Sequence, residues 1–86
     1  MISRDYEVIV YNTFDKSHRM EDKAKRRSDA YSLLRSMMNT SRNACRAYPL
    51  KYENTSITGK IYLNDELLEA FRVDVFGRKR YTRVSM

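Results

Sequence analysis

The chain has 86 residues, one cysteine, one histidine and a formal net charge of +6, with 42% hydrophobic and 33% charged residues. Two glycines and one proline complete a globular rather than disordered composition, expected to form a single domain over 1–86. One cysteine (Cys45) and one histidine (His18) exclude an internal disulfide, a cysteine-based zinc site and the common imidazole metal constellations, so no metal or other cofactor is expected.

A chain this short hides only about 60–65% of the surface that its unfolded form exposes. Its margin of stability is thin, and a homodimer would widen it. The opening "MISRDYEVIV" reaches charged residues at once, without the apolar core of a signal peptide. No apolar run approaches membrane-spanning length. A cytoplasmic, reducing setting with no membrane partner is the expectation, and there the "NTS" tripeptides at Asn39 and Asn54 carry no glycosylation meaning.

In chain order, "DYEVIVYNTF" (5–14) is rich in β-branched and aromatic residues and predicts a strand. Val8 and Val10 face one side and Ile9 and Tyr11 the other, which suits a central position in a sheet. "DKSHRMEDKAKRRS" (15–28) has almost no apolar content. From Ser28 a helical period takes over. At about 100° per residue, Ala30, Leu33, Leu34, Met37, Met38, Ser41, Ala44, Cys45 and Tyr48 fall in one arc, with Arg35, Arg42 and Arg46 aligned away from it. The helix ends before Pro49, whose ring disfavours helical geometry in the residue preceding it. Its start is either near Ser28, acting as N-cap, or near Ser17. In both cases Lys23, Lys25, Arg26 and Arg27 lie outside the core.

From Ser56 the period is two. "SITGKIYL" predicts a strand, "ND" a tight turn and "ELLEAFRVDVF" a returning strand. "GRK" makes a second turn, and "RYTRVSM" a last, cation-rich strand at an edge, where charge resists sheet-to-sheet aggregation. The predicted fold is α+β: an antiparallel sheet of about four strands, in the order β-α-β-β-β, with one long amphipathic helix across a face.

Charge is unevenly placed. Residues 19–46 hold eight Lys or Arg against three acids, and residues 77–86 hold four against none. Such polarisation concerns partners rather than fold. Three groups are candidate phosphate contacts. Lys23, Lys25, Arg26 and Arg27 stand at a helix start, where cations oppose the macrodipole at a cost of a few tenths of a kcal/mol each; a solvated charge run is the competing explanation. Arg35, Arg42 and Arg46 form a row that could track phosphates or be an ordinary exposed face, and no acid four residues away explains them as helical ion pairs. Arg78, Lys79, Arg80 and Arg83 surround Tyr81, whose ring offers a stacking platform; edge protection is the alternative.

No catalytic signature is present. His18 sits in a polar segment without an evident acid–base partner, and Cys45 falls on the buried arc as a small core residue. The sequence therefore predicts a non-catalytic nucleic-acid-binding protein, of RNA or of DNA, acting through charge. The alternative is an adaptor or inhibitor whose basic face docks an acidic protein surface, with a small ribonuclease using His18 a distant third.

In its small size, its "KAKRR" run and its basic end "GRKRYTRVSM", the chain resembles the compact accessory proteins of tailed bacteriophages. It is similar in character to the RNA-binding inhibitors with which T4-like phages neutralise host toxin endoribonucleases. The resemblance rests on whole-chain character and transfers no individual residue role. It implies a non-enzymatic, antitoxin-like protein that evades host defence by binding a toxin nuclease and RNA together, as a dimer, in the host cytoplasm.

Overall fold

The computed structural model describes residues 5–16 and 19–84. Strand β1 (Tyr6–Asn12) is followed by β2 (Met20–Ala24), helix α1 (Arg27–Arg46), a single-turn helix α2 (Pro49–Tyr52), and strands β3 (Ser56–Leu63), β4 (Glu66–Asp74) and β5 (Thr82–Arg83). The fold is α+β: a five-stranded, wholly antiparallel sheet in the order β2-β1-β3-β4-β5, with α1 packed against β1, β2 and β3.

The strand count and the N-cap residue need correction, while the helix start near Ser28 stands. The sheet has a fifth strand, in the polar stretch expected to be a loop or an early helix turn. β2 pairs along β1 from Tyr6–Ala24 to Val10–Met20, so the backbone of β1 supplies the order that side-chain pattern does not announce. Only Met20 and Ala24 of β2 are partly buried, as an edge strand allows. The helix starts at Arg27, with Arg26 in extended geometry as N-cap and no side-chain cap. Ser28 is inside the helix rather than capping it, and Ser17 and His18 lie outside the described residues. Lys23, Lys25, Arg26 and Arg27 are all exposed, as expected.

Side chains alternate across the sheet, so register decides which of them meet α1. Val8, Val10, Ile57, Ile61, Val73 and Val75 are buried against Ala30, Leu34, Met37, Met38 and Cys45 in one core cluster. Gly59, paired with Val10 and Phe71, lies where the helix comes closest. A Cβ there would stand 2.5 Å from Leu34 Cδ1 and 2.6 Å from Met38 Sδ. The hairpin between β3 and β4 turns on Asn64 and Asp65, both at positive φ (52° and 65°), the primed-turn geometry that matches strand twist. The register shifts beyond Ile61, which pairs with Glu69 while Tyr62 pairs with Leu67. Leu68 takes the extra place, and the simple alternation along β4 breaks there.

Helix α1 ends as expected before Pro49, which occupies the first turn of α2, a position that tolerates its missing N–H. Tyr48, expected on the apolar arc, instead becomes the N-cap of α2 and is exposed, as are Phe14 and Leu50. Lys51 of α2 pairs with Asp15 at 3.0 Å, and this hydrogen bond raises the ammonium's pKa above its ordinary value. No described helix is long and apolar enough to cross a membrane.

Candidate nucleic-acid interface

The sheet is wider than its helix. α1 covers β1, β2 and β3 and barely reaches β4, so the inner face of β4–β5 is closed by side chains alone. Tyr31, Leu34, Arg35 and Met38 recur at the spacing that puts residues on one helix flank, and this flank looks out over β4. Phe71 rises from β4 on the same side, and Tyr81 stands beyond it, just before β5. Together they bound a half-open groove of about 300 Å³, with Ser32 at its rim.

Each aromatic ring of the groove carries a guanidinium. Arg27 lies over Tyr31 at 5.8 Å from the ring centre and donates to its hydroxyl at 3.4 Å. Arg35 lies over Tyr81 at 5.3 Å. Arg83 lies over Phe71 at 5.9 Å and pairs with Glu69 Oε1 at 2.7 Å. Tyr31 meets Phe71 edge to face, with centroids 6.2 Å apart. The second oxygen of Glu69, Oε2, is buried without a hydrogen-bond partner among the described residues. Three cations and three rings thus converge on one concave surface whose floor is apolar.

The sequence candidates divide accordingly. Arg27, Arg35, Tyr81 and Arg83, drawn from three separate stretches of chain, are brought to the groove. Arg42 is not on an exposed phosphate-tracking face: it is only 7% exposed. Its Nε donates to Asp74 O at 2.8 Å and its Nη2 to Gly77 O at 3.3 Å. Arg46 is exposed, as expected, although it donates from Nη1 to Val75 O at 2.9 Å and lies over Phe76 at 5.0 Å. These two tie the 74–77 segment to the helix. The row was legible on the helical wheel, but a wheel cannot tell solvent from a flank that a neighbouring segment covers.

Arg78, Lys79 and Arg80 are exposed on the turn after Gly77, whose φ of 99° suits glycine. On the sheet face away from α1, Arg72 joins Arg78, Arg80, Asp74 and Thr82 around a shallow depression of about 280 Å³. Lys60, on the same face, lies over Tyr11 at 5.6 Å. Arg72 and Lys60 escape a search for charge runs because each is a lone cation on an alternating strand; only sheet register places them beside the basic turn. Lys23 belongs to the opposite edge strand, β2, whereas Lys25 and Arg26 form the short link that leads from β2 directly into Arg27 at the start of α1. Lys23 shares its face with Glu7 and Glu21.

The described residues contain no group of three or more His, Cys, Asp or Glu able to hold a metal ion. Chemically, the groove offers stacking surfaces and positive charge. No protein-family model, curated protein or solved structure matches this chain.

Proposed function

We propose that the chain is a non-catalytic RNA-binding protein whose interface is the α1–β4–β5 groove together with the basic turn beside it. One observation supports this above the others: Arg27, Arg35 and Arg83 meet over Tyr31, Tyr81 and Phe71 on one open surface. Cations interleaved with aromatic rings suit a polyanion that also carries planar bases. Arg72, Arg78, Lys79 and Arg80 extend the positive surface around the β5 edge. Following the resemblance to phage inhibitors of toxin nucleases, the proposed setting is the cytoplasm of an infected cell and the proposed effect is inhibition of such a nuclease.

The measurement is a gel-shift titration with a single-stranded RNA at two salt concentrations. About six phosphate contacts predict a log–log slope near −4, hence a loss of roughly 300-fold in affinity between 50 and 200 mM salt. Binding that is absent at low salt, or indifferent to salt, overturns the proposal.

A second reading, docking to an acidic host protein, is favoured by one separate feature. Phe14, Tyr48 and Leu50 are large, apolar and exposed, Leu50 at 93%, and such residues contribute to protein interfaces more than to RNA backbone contact. Co-purification from host lysate with and without nuclease treatment separates the readings: a protein partner that survives the nuclease supports direct docking, and its loss supports an RNA bridge.

A further inference from the structure

We infer that the α1–β4–β5 groove receives one unpaired nucleobase of a single-stranded RNA, while Arg27, Arg35 and Arg83 neutralise the phosphates on either side of it. The inference rests on the RNA-binding reading and specifies what the same site accepts.

Three features select this ligand. The first is the floor. Phe71, half-buried, is the apolar group that the floor presents, with Leu34 and Met38 buried beneath it, and its ring gains from contact with a planar base. A duplex keeps the faces of its bases stacked inside and presents sugars and phosphates, so it has nothing to lay on this floor. The second is size. At about 300 Å³, the lower end of small-ligand sites, the half-open groove has room for one base. The third is charge. Three guanidiniums border the groove against one carboxylate, Glu69, which is paired with Arg83 and leaves a net excess of two positive charges. That balance favours an anionic chain on both sides of an inserted ring.

The rings show how a base would lie. Each already has a planar cation over it at 5–6 Å, a contact that a base can replace by stacking on the same ring. Arg35, exposed and without a carboxylate partner among the described residues, is the one most free to leave Tyr81 for a phosphate. A base then takes its place over the ring. Stacking of this kind is tolerant of base identity, because every base has a π-face, so the groove distinguishes unpaired from paired RNA more than one sequence from another.

The test uses the full chain and two fluorescein-labelled probes, a 10-nucleotide single-stranded RNA and a 10-base-pair RNA duplex, titrated by anisotropy at one low salt concentration. The single strand is expected to bind about 10-fold tighter than the duplex. Tyr81→Ala is expected to weaken the single strand about 10-fold, in the range that loss of one stacking ring gives, with duplex affinity unchanged; Tyr81→Phe keeps the preference. Ser32→Trp, which fills the groove from an exposed rim position, is expected to abolish the preference while thermal unfolding stays as in the parent. Arg78→Ala, on the turn, weakens both probes alike. Equal affinity for single strand and duplex, or equal losses for both on Tyr81→Ala, overturns the base-insertion inference and leaves RNA binding standing. Absence of binding to either probe overturns the RNA reading itself. Displacement of the single strand by a tyrosine-containing polyglutamate peptide as efficiently as by unlabelled RNA assigns the groove to an acidic protein segment and also overturns the inference.

Discussion

Replacement of Arg42 by alanine separates a structural arginine from a phosphate ligand. In the native state its Nε–H donates to Asp74 O at 2.8 Å and its Nη2 to Gly77 O at 3.3 Å, with the residue 7% exposed. Truncation leaves both carbonyls without this donor and removes the aliphatic stem that packs beneath them. A hydrogen bond to a charged group contributes about 1.5–3 kcal/mol. The longer bond counts for less, and water reaching the carbonyls recovers part of the loss, so the expected cost is about 2–3 kcal/mol. For a domain of this size each kcal/mol moves Tm by about 4–8 °C, which puts the fall at roughly 10–20 °C. In urea, with a slope near 1 kcal/mol/M for a small protein, the midpoint drops by about 2 M with the slope unchanged. Arg42→Lys should fall between parent and alanine, because a single ammonium cannot reproduce the planar fork that spans two carbonyls. A stability change under about 0.5 kcal/mol, combined with weakened RNA binding, would refute the assignment and return Arg42 to the ligand-facing row.

Two further outcomes follow from the packing beneath the groove. Gly59→Ala places a methyl group 2.5 Å from Leu34 Cδ1 and 2.6 Å from Met38 Sδ and should destabilise by about 1–3 kcal/mol, the usual cost of overpacking; an unchanged urea midpoint would show that the helix shifts freely on the sheet. Burial raises the pKa of the Cys45 thiol above its ordinary value of 9.0, which keeps it protonated at neutral pH. Its neutral form therefore supports folding below pH 9.0 and loses that advantage as pH rises through the folded value. Native protein at pH 8 should resist iodoacetamide, with rapid alkylation in urea, and mass spectrometry reads both; fast labelling of the native chain would contradict the burial.

The sequence made the long helix, the strand–turn–strand of 56–76 and the antiparallel α+β class visible, because apolar period and turn chemistry are local. Asn64-Asp65 is such a local signal, and both residues adopt the left-handed geometry that the hairpin requires. β2 was invisible for the opposite reason. "MEDKA" buries little, and its order comes from pairing with β1, a relation between distant residues that a polar edge strand does not encode in its own side chains. The groove was partly legible. Arg27, Arg35, Tyr81 and Arg83 each stand out in the sequence, yet their convergence depends on how α1 lies across the sheet. Phe71 and Tyr31 do not stand out in the sequence, since an aromatic at strand or helix spacing is most simply a core residue. The burial of Arg42 is not written in its own stretch, because the carbonyls it binds lie more than 30 residues further along the chain.

The groove and the arginine clasps have one geometric origin. Five strands at about 4.8 Å spacing make a sheet roughly 19 Å across, whereas a helix with its side chains is about 10–12 Å wide. One helix cannot cover that width, and α1 settles over β1, β2 and β3, leaving the inner face of β4 and β5 without a second layer. Arginine closes part of this gap because its stem is apolar and its head carries donors that reach backbone carbonyls. Toward the C-terminal end of α1, Arg42 and Arg46 find the carbonyls of Asp74, Val75 and Gly77 and seal the gap. About two turns earlier on the same flank, Arg35 meets the ring of Tyr81 instead. An arginine held by a ring can exchange it for a phosphate, whereas one bonded to backbone carbonyls gives up those bonds, which fasten the 74–77 segment to the helix, when it leaves. The same row of side chains therefore locks one end of the helix–sheet junction and leaves the other end open, and the open end is the one bordered by Arg27, Arg35 and Arg83.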